Sequence, residues 1–188
     1  MQQVGEGIYR LGTDIHNFYL LTAGGKATVV DAGCSKELPK LEAALASLEM
    51  KRDDVEAIIM THAHADHIGF AAEANNAGTE VRTSEVEGPI ATGEQKVHAV
   101  KIPQLPLWKL GTWKFLIGLL KVGVMKAPSV ESVVTFTDGE VLDLPGNPKV
   151  VYTPGHTVGH ASFYLAESKT AFTGDALVTR DLLDNRDG

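Results

Sequence analysis

The chain has 188 residues, of which 44% are hydrophobic and 22% charged, with a formal net charge of −7. That length and composition suit one soluble domain with a sizeable core and exclude a disordered or fibrous chain. The acidic balance argues against a nucleic-acid partner, since phosphate binding needs a basic face, and the single cysteine, Cys34, excludes an intrachain disulfide.

Gly7–Leu11, Ile15–Thr22 and Ala27–Asp31 read as three short strands, the last two joined by a turn at Gly24-Gly25. Ala32 to Ser35 lead into a helix with Leu38, Leu41, Leu45 and Leu48 on one face; Pro39 falls early, where a helix tolerates it. Ala57–Met60 is a short apolar run, read as a buried strand. It runs into Thr61-His62-Ala63-His64-Ala65-Asp66-His67, with a helix expected from Asp66 or His67. Further on, Val133–Phe136, Glu140–Leu144, Lys149–Thr153, Ala161–Leu165 and Ala171–Thr173 read as strands, with Asp138-Gly139 as a turn. Strand groups interleaved with helices predict an α/β (α+β) architecture of sheets covered by helices.

Residues 95–130 form a distinct insert with six lysines and no Asp or Glu. It carries Trp108, Trp113, Phe115, Ile117, Leu119 and Leu120 within Pro103–Lys126. Three readings compete: core packing beneath solvated lysines, a flap over a substrate site that governs substrate choice, and a membrane-surface helix. Lys109, Lys114, Lys121 and Lys126 do not form one stripe on a helical wheel, which argues against a membrane partner. His98 is expected at the surface. His16 is read either as lining a site from the strand hairpin or as structural. Met1 to Leu11 contain no signal-like apolar stretch and no run is long enough to span a bilayer, so a cytoplasmic location is the expectation.

Five of the seven histidines fall in two short motifs. In the first, His62 and His64 are two apart and project to the same side of an extended backbone. Two such imidazoles can hold one ion, while Asp66 and His67, beyond the bend, can reach a second. Imidazole with carboxylate suits zinc, and iron or manganese less selectively. Ala63 and Ala65 leave room for metal. The second motif is Thr153-Pro-Gly-His156-Thr-Val-Gly-His160, where Pro154-Gly155 force a turn at a strand end. One of its two histidines can supply a third ligand, the other a supporting hydrogen bond. In the third, Phe172-Thr-Gly-Asp175, a carboxylate after a glycine is placed to bridge two cations.

Taken together, these motifs resemble the metallo-β-lactamase superfamily, in order from Tyr9 to Asp175. Val29-Val-Asp31-Ala-Gly33 is similar to the family's strand end, whose Asp supports the metal-binding loop. The resemblance implies an αββα sandwich with metals at one edge of two sheets. His62, His64 and His156 would hold the first ion, Asp66 and His67 the second, and Asp175 would bridge. Thr-Pro-Gly-His-Thr-x-Gly-His is more similar to hydroxyacylglutathione hydrolases than to other branches. The family's second ion normally takes a further histidine from a later segment. None follows His160, and the sequence ends at Gly188. The expectation is therefore a single domain, 1–188, whose second half lacks its closing elements and whose second metal position is weak.

The activity implied is hydrolysis of an ester, thioester, lactone or amide of a small-molecule substrate by a metal-bound hydroxide, which Asp66, as the catalytic residue, orients and whose parent water gives its proton to Asp66. One or two Zn2+ ions are the expected cofactor. Cys34 is read as a buried, inert thiol. Two alternatives are a mononuclear iron, persulfide-dioxygenase-like enzyme using His62, His156 and Asp175, and an inactive truncated remnant. A homo-oligomer is left open, because an exposed sheet edge invites pairing.

Overall fold

A computed structural model of the chain describes residues 1–13, 16–95, 113, 117, 123, 127–177, 180–181 and 186–187. Ile15, His98, Trp108, Phe115, Leu119 and Leu120 lie outside the described residues, and so does nearly all of the lysine-rich segment.

Strands β1 (Gln2–Gly5), β2 (Ile8–Gly12), β3 (Asn17–Ala23) and β4 (Lys26–Val30) form an antiparallel meander. β5 (Val55–Ile59), β6 (Glu80–Ser84) and β7 (Val134–Phe136) extend it in parallel, so that among the described residues the sheet runs β1 to β7 in chain order. Helix α1 (Leu38–Ser47) connects β4 to β5, α2 (Ala71–Asn76) connects β5 to β6, and the single turn α3 (Gly88–Ala91) follows β6. A second, antiparallel sheet has the order β10-β9-β8, from β8 (Lys149–Tyr152), β9 (Ala161–Leu165) and β10 (Thr170–Phe172). A two-residue pair, β11 (Arg180–Asp181) and β12 (Arg186–Asp187), comes last.

Successive strand residues point to opposite faces, and this divides the core in two. Leu20, Val29 and Ile58 face one side and pack with Leu38, Leu41 and Leu45 of α1 and Ala71 and Ala74 of α2. Leu21, Val30 and Ile59 face the other side and pack with Val150, Phe163 and Phe172 of the second sheet. The layers run helix, sheet, sheet. This is the expected α/β (α+β) sandwich of the metallo-β-lactamase type, with no helix over the second sheet among the described residues. Val151 and Tyr164 are exposed on that sheet.

Two expected elements are corrected. No helix starts at Asp66 or His67; the chain passes through turns and α2 begins at Ala71. The reason is that this backbone bonds across to the β4–α1 loop: Gly69 N–H donates to Gly33 O at 2.9 Å and Phe70 N–H to Ala32 O at 3.2 Å. A Cβ on Gly69 would lie 2.2 Å from Gly33 O, so only glycine permits the approach. Nor is Glu140–Leu144 a strand. Val141 makes one isolated bridge to Lys149 before the chain turns at Pro145-Gly146. β1, β6 and α3 were not anticipated.

Candidate metal centre

Parallel strands deliver their C-terminal ends to one edge of a sheet, which is where α/β folds build sites. β4 leads into Asp31, β5 runs out into Thr61 and His62, and β6 leads to Glu87. From the second sheet β8 leads to His156, and β10 leads to Asp175 in a 3-10 turn over Gly174–Ala176. Residues far apart in sequence therefore meet because strand ends meet.

Nitrogens of His62, His64 and His156 lie within 4.8 Å of one another, as do ligand atoms of His62, His67 and Asp175. The two groups share His62, which is fully buried. Asp175 spans them: Oδ1 is 3.2 Å from His67 Nε2 and Oδ2 is 3.3 Å from His156 Nε2. Asp66 falls in neither group, its Oδ2 lying 3.9 Å from His67 Nε2. Five of the six expected ligands are thus brought together, and the sixth stands at their margin.

The buried proton network decides which nitrogen each imidazole presents. Asp31 accepts the Thr61 backbone N–H at 2.7 Å and the Thr61 hydroxyl at 3.0 Å. With its proton directed to Asp31, the Thr61 hydroxyl oxygen accepts from His62 Nδ1–H at 3.0 Å. His62 Nε2 then carries a lone pair, and it is buried with no hydrogen-bond partner among the described residues. Such an atom is costly unless something binds it. A divalent cation fits: the free lone pair points to where two more imidazoles and a carboxylate converge, a donor set of nitrogen and oxygen. Asp31 Oδ2 also accepts from His67 Nδ1–H at 2.8 Å, leaving His67 Nε2 toward Asp175. To aim its carboxylate back over the strand ends, Asp31 adopts a left-handed φ of 60°.

Residues 11–187 match the sequence profile of the metallo-beta-lactamase superfamily. The chain belongs to that superfamily. It is 28% identical over 163 residues to a beta-lactamase-like protein 2 homolog of Caenorhabditis elegans, covering 86% of this chain and 44% of the relative. It is 30% identical over 141 residues to a hydroxyacylglutathione hydrolase of Brucella ovis, covering 75% of this chain and 41% of the relative. Among solved structures, a metallo-beta-lactamase family protein of Thermus thermophilus superposes with a TM-score of 0.69 at 26% identity, covering 95% of this chain and 62% of the other. The chain thus spans less than half the length of these curated relatives.

Around the superfamily's histidine motif, two supporting residues escaped sequence reasoning or were left open by it. Glu87 was missed. It is buried, and its Oε2 accepts Ala63 N–H at 2.9 Å while Oε1 accepts the Thr157 hydroxyl at 2.6 Å and Gly159 N–H at 3.2 Å. One carboxylate thereby ties the loop bearing His62 and His64 to the loop bearing His156. His160 is the second. Its Nε2 accepts Asp175 N–H at 3.2 Å, so Nδ1–H donates to Thr153 Oγ1 at 2.8 Å. It positions Asp175. Gly174, at φ 48°, lets the chain pass: a Cβ there would lie 2.7 Å from His160 Nε2.

Electrostatics follow this packing. Burial, reinforced by His67 and His64, holds His62 far below the ordinary imidazole range. Burial and His156 lower His64 as well. For His67, burial opposes the charged form, but Asp31 and the Asp175 hydrogen bond outweigh it and raise its pKa well above normal. Burial likewise opposes ionisation of Asp175, and the His67 hydrogen bond reverses that, lowering its pKa. His62 and His64 thus present neutral imidazoles beside an ionised Asp175, the states a cation needs, while His67 would give up a proton on binding one.

His16 does not reach this centre. Its Nε2 pairs with Glu37 Oε2. Cys34 is a buried free thiol whose pKa is pushed up to about 12 by burial and then by Glu37, so it is no nucleophile. Among the described residues, no helix is long and apolar enough to cross a membrane.

Proposed function

We propose that the chain is a metal-dependent hydrolase of a small-molecule ester or thioester, with lactones and amides as the wider class, and that its resident ion is Zn2+. The observation that carries this is His62 Nε2, a buried lone pair without a partner among the described residues, at the meeting point of His64, His156, His67 and Asp175. His62, His64 and His156 would hold one ion. His67 and Asp175 would contribute to a second position, with Asp66 at its edge. A divalent cation bound there supplies Lewis acidity and acidifies water toward neutral pH. The protein's share is positional. Asp31 and Thr61 fix the His62 and His67 tautomers, Glu87 holds the two histidine loops in register, and His160 holds Asp175. Asp66, partly exposed beside His67, is placed to accept a proton at its carboxylate. Thioesters head the substrate list because a similar protein, that of Brucella ovis, is named a hydroxyacylglutathione hydrolase.

The test pairs metal analysis with a substrate panel: a hydroxyacylglutathione thioester, a simple aryl ester and a lactone, each with and without chelator. We expect one or two equivalents of zinc, chelator-sensitive turnover, and loss of both in His62→Ala. Zinc-loaded protein that hydrolyses nothing in the panel would sink the assignment. Oxygen uptake by an iron-loaded form would transfer it to a dioxygenase reading.

A further inference from the structure

A second group of metal-ligating side chains lies away from the strand-end histidines. His16, before β3, and Cys34 and Glu37, between β4 and α1, are each at least 95% buried and place one nitrogen, one sulfur and one oxygen within 4.8 Å of one another. Each oxygen or nitrogen donor is oriented from behind. Thr13 Oγ1 contacts His16 Nδ1 at 3.3 Å, which leaves Nε2 facing inward. Lys40 Nζ donates to Glu37 Oε1 at 2.6 Å, and Cys34 N–H to Oε2 at 3.0 Å. Gly33, at φ 47°, makes the cradle: a Cβ there would lie 2.8 Å from Glu37 Oε2. An imidazole and a carboxylate, each held by further hydrogen bonds, with a thiol sulfur beside them, is a donor set that borderline divalent cations take, the ion displacing the thiol proton as it binds. Thr13 and Lys40, which contact His16 and Glu37, also line an open surface cleft with Arg10 and Gly12.

We propose that His16 Nε2, Cys34 Sγ and Glu37 Oε2 form a separate binding site for one borderline divalent cation of the zinc class. On binding, the His16–Glu37 hydrogen bond opens, the imidazole proton passes from Nε2 to Nδ1, where Thr13 Oγ1 can accept it, a bond forms from each ligand atom to the ion, and the thiol proton leaves to solvent. The ion would be structural. It would staple the β2–β3 turn to the segment entering α1, three residues beyond the Asp31 that steadies His67.

The lone cysteine makes the test direct, because a thiolate-to-metal charge-transfer band can arise only at Cys34. The full chain is titrated with Cd2+, and separately with Co2+, while that near-ultraviolet band is recorded. The expected result is a band whose full intensity corresponds to one ion bound at Cys34 per chain, abolished in Cys34→Ser, weakened at least about tenfold in apparent affinity in His16→Ala and Glu37→Gln, and retained in His156→Ala. Should His16→Ala fail to fold by circular dichroism, Glu37→Gln, which keeps the side chain's size, gives the same reading. Absence of a band at excess Cd2+ overturns the site. So does a band lost in His156→Ala, which would place the thiol at the other centre, or one indifferent to both His16→Ala and Glu37→Gln.

Discussion

Asp31 divides its carboxylate between Thr61 and His67, and through Thr61 it reaches His62. An amide in its place can accept with one atom only. Asp31→Asn should therefore leave the fold intact while loosening the imidazole tautomers, with metal affinity falling about 10–100-fold, as read by competition against a chromophoric chelator. Glu87 is a harder case, because both its oxygens accept from separate loops. Whichever way a substituted amide turned at this position, its N–H would face a donor. Glu87→Gln should cost about 1–3 kcal/mol in urea unfolding. His62, His64, Asp66 and His67 were legible in the sequence because their density after an apolar strand has no ordinary structural explanation, whereas Asp175 was legible only through the family resemblance, Gly-Asp at a turn being commonplace. Glu87 was not. Its partners stand 24, 70 and 72 positions away, and two of the three contacts are to backbone, which leaves no mark on residue identity.

Among elements, β4, β5, β8 and β9 were readable as apolar runs buried on one or both faces. β6 was not, because Glu80 and Arg82 alternate with Val81 in a strand whose outward positions are polar and whose burial comes from parallel neighbours. The helix expected at Asp66 fails for a physical reason: the carbonyls of Ala32 and Gly33 capture the amides that would have started it. Glu37, at the entry to α1, gives this element a pH signature. Burial disfavours its charge, but hydrogen bonds from His16, Lys40 and the Cys34 amide prevail and hold the carboxyl at about 2, against an ordinary 4.5. A depressed folded pKa means stabilisation that is complete above 4.5 and disappears as pH falls toward 2. Glu37→Gln should therefore destabilise metal-free protein by on the order of 1–3 kcal/mol at neutral pH. The gap from wild type should narrow steadily in melts taken between pH 4.5 and pH 2.

For the molecule as a whole, a cation held by His62, His64 and His156 would join the two sheets, since the first two follow β5 and the third follows β8. Binding to the native state alone adds about 2.7 kcal/mol when free metal is roughly 100 times Kd. Dialysis against chelator should accordingly lower the thermal midpoint by several degrees and zinc should restore it, as scanning calorimetry would record. A midpoint indifferent to chelation would mean that no ion bridges the sheets.

The tie between the two histidine loops also sets an order of events in time. Glu87 reaches from the end of β6 to the loop after β8, so the pocket closes only after chain segments 70 and 72 positions apart have docked. Contacts of that span form late, because loop entropy is lost before they reward it. An ion that needs the closed pocket would then arrive after the rate-limiting step and leave the refolding rate almost unchanged. Its whole effect would fall on the exit: saturating zinc would lengthen the native lifetime, making the bound ion a latch against unfolding and not a seed for folding.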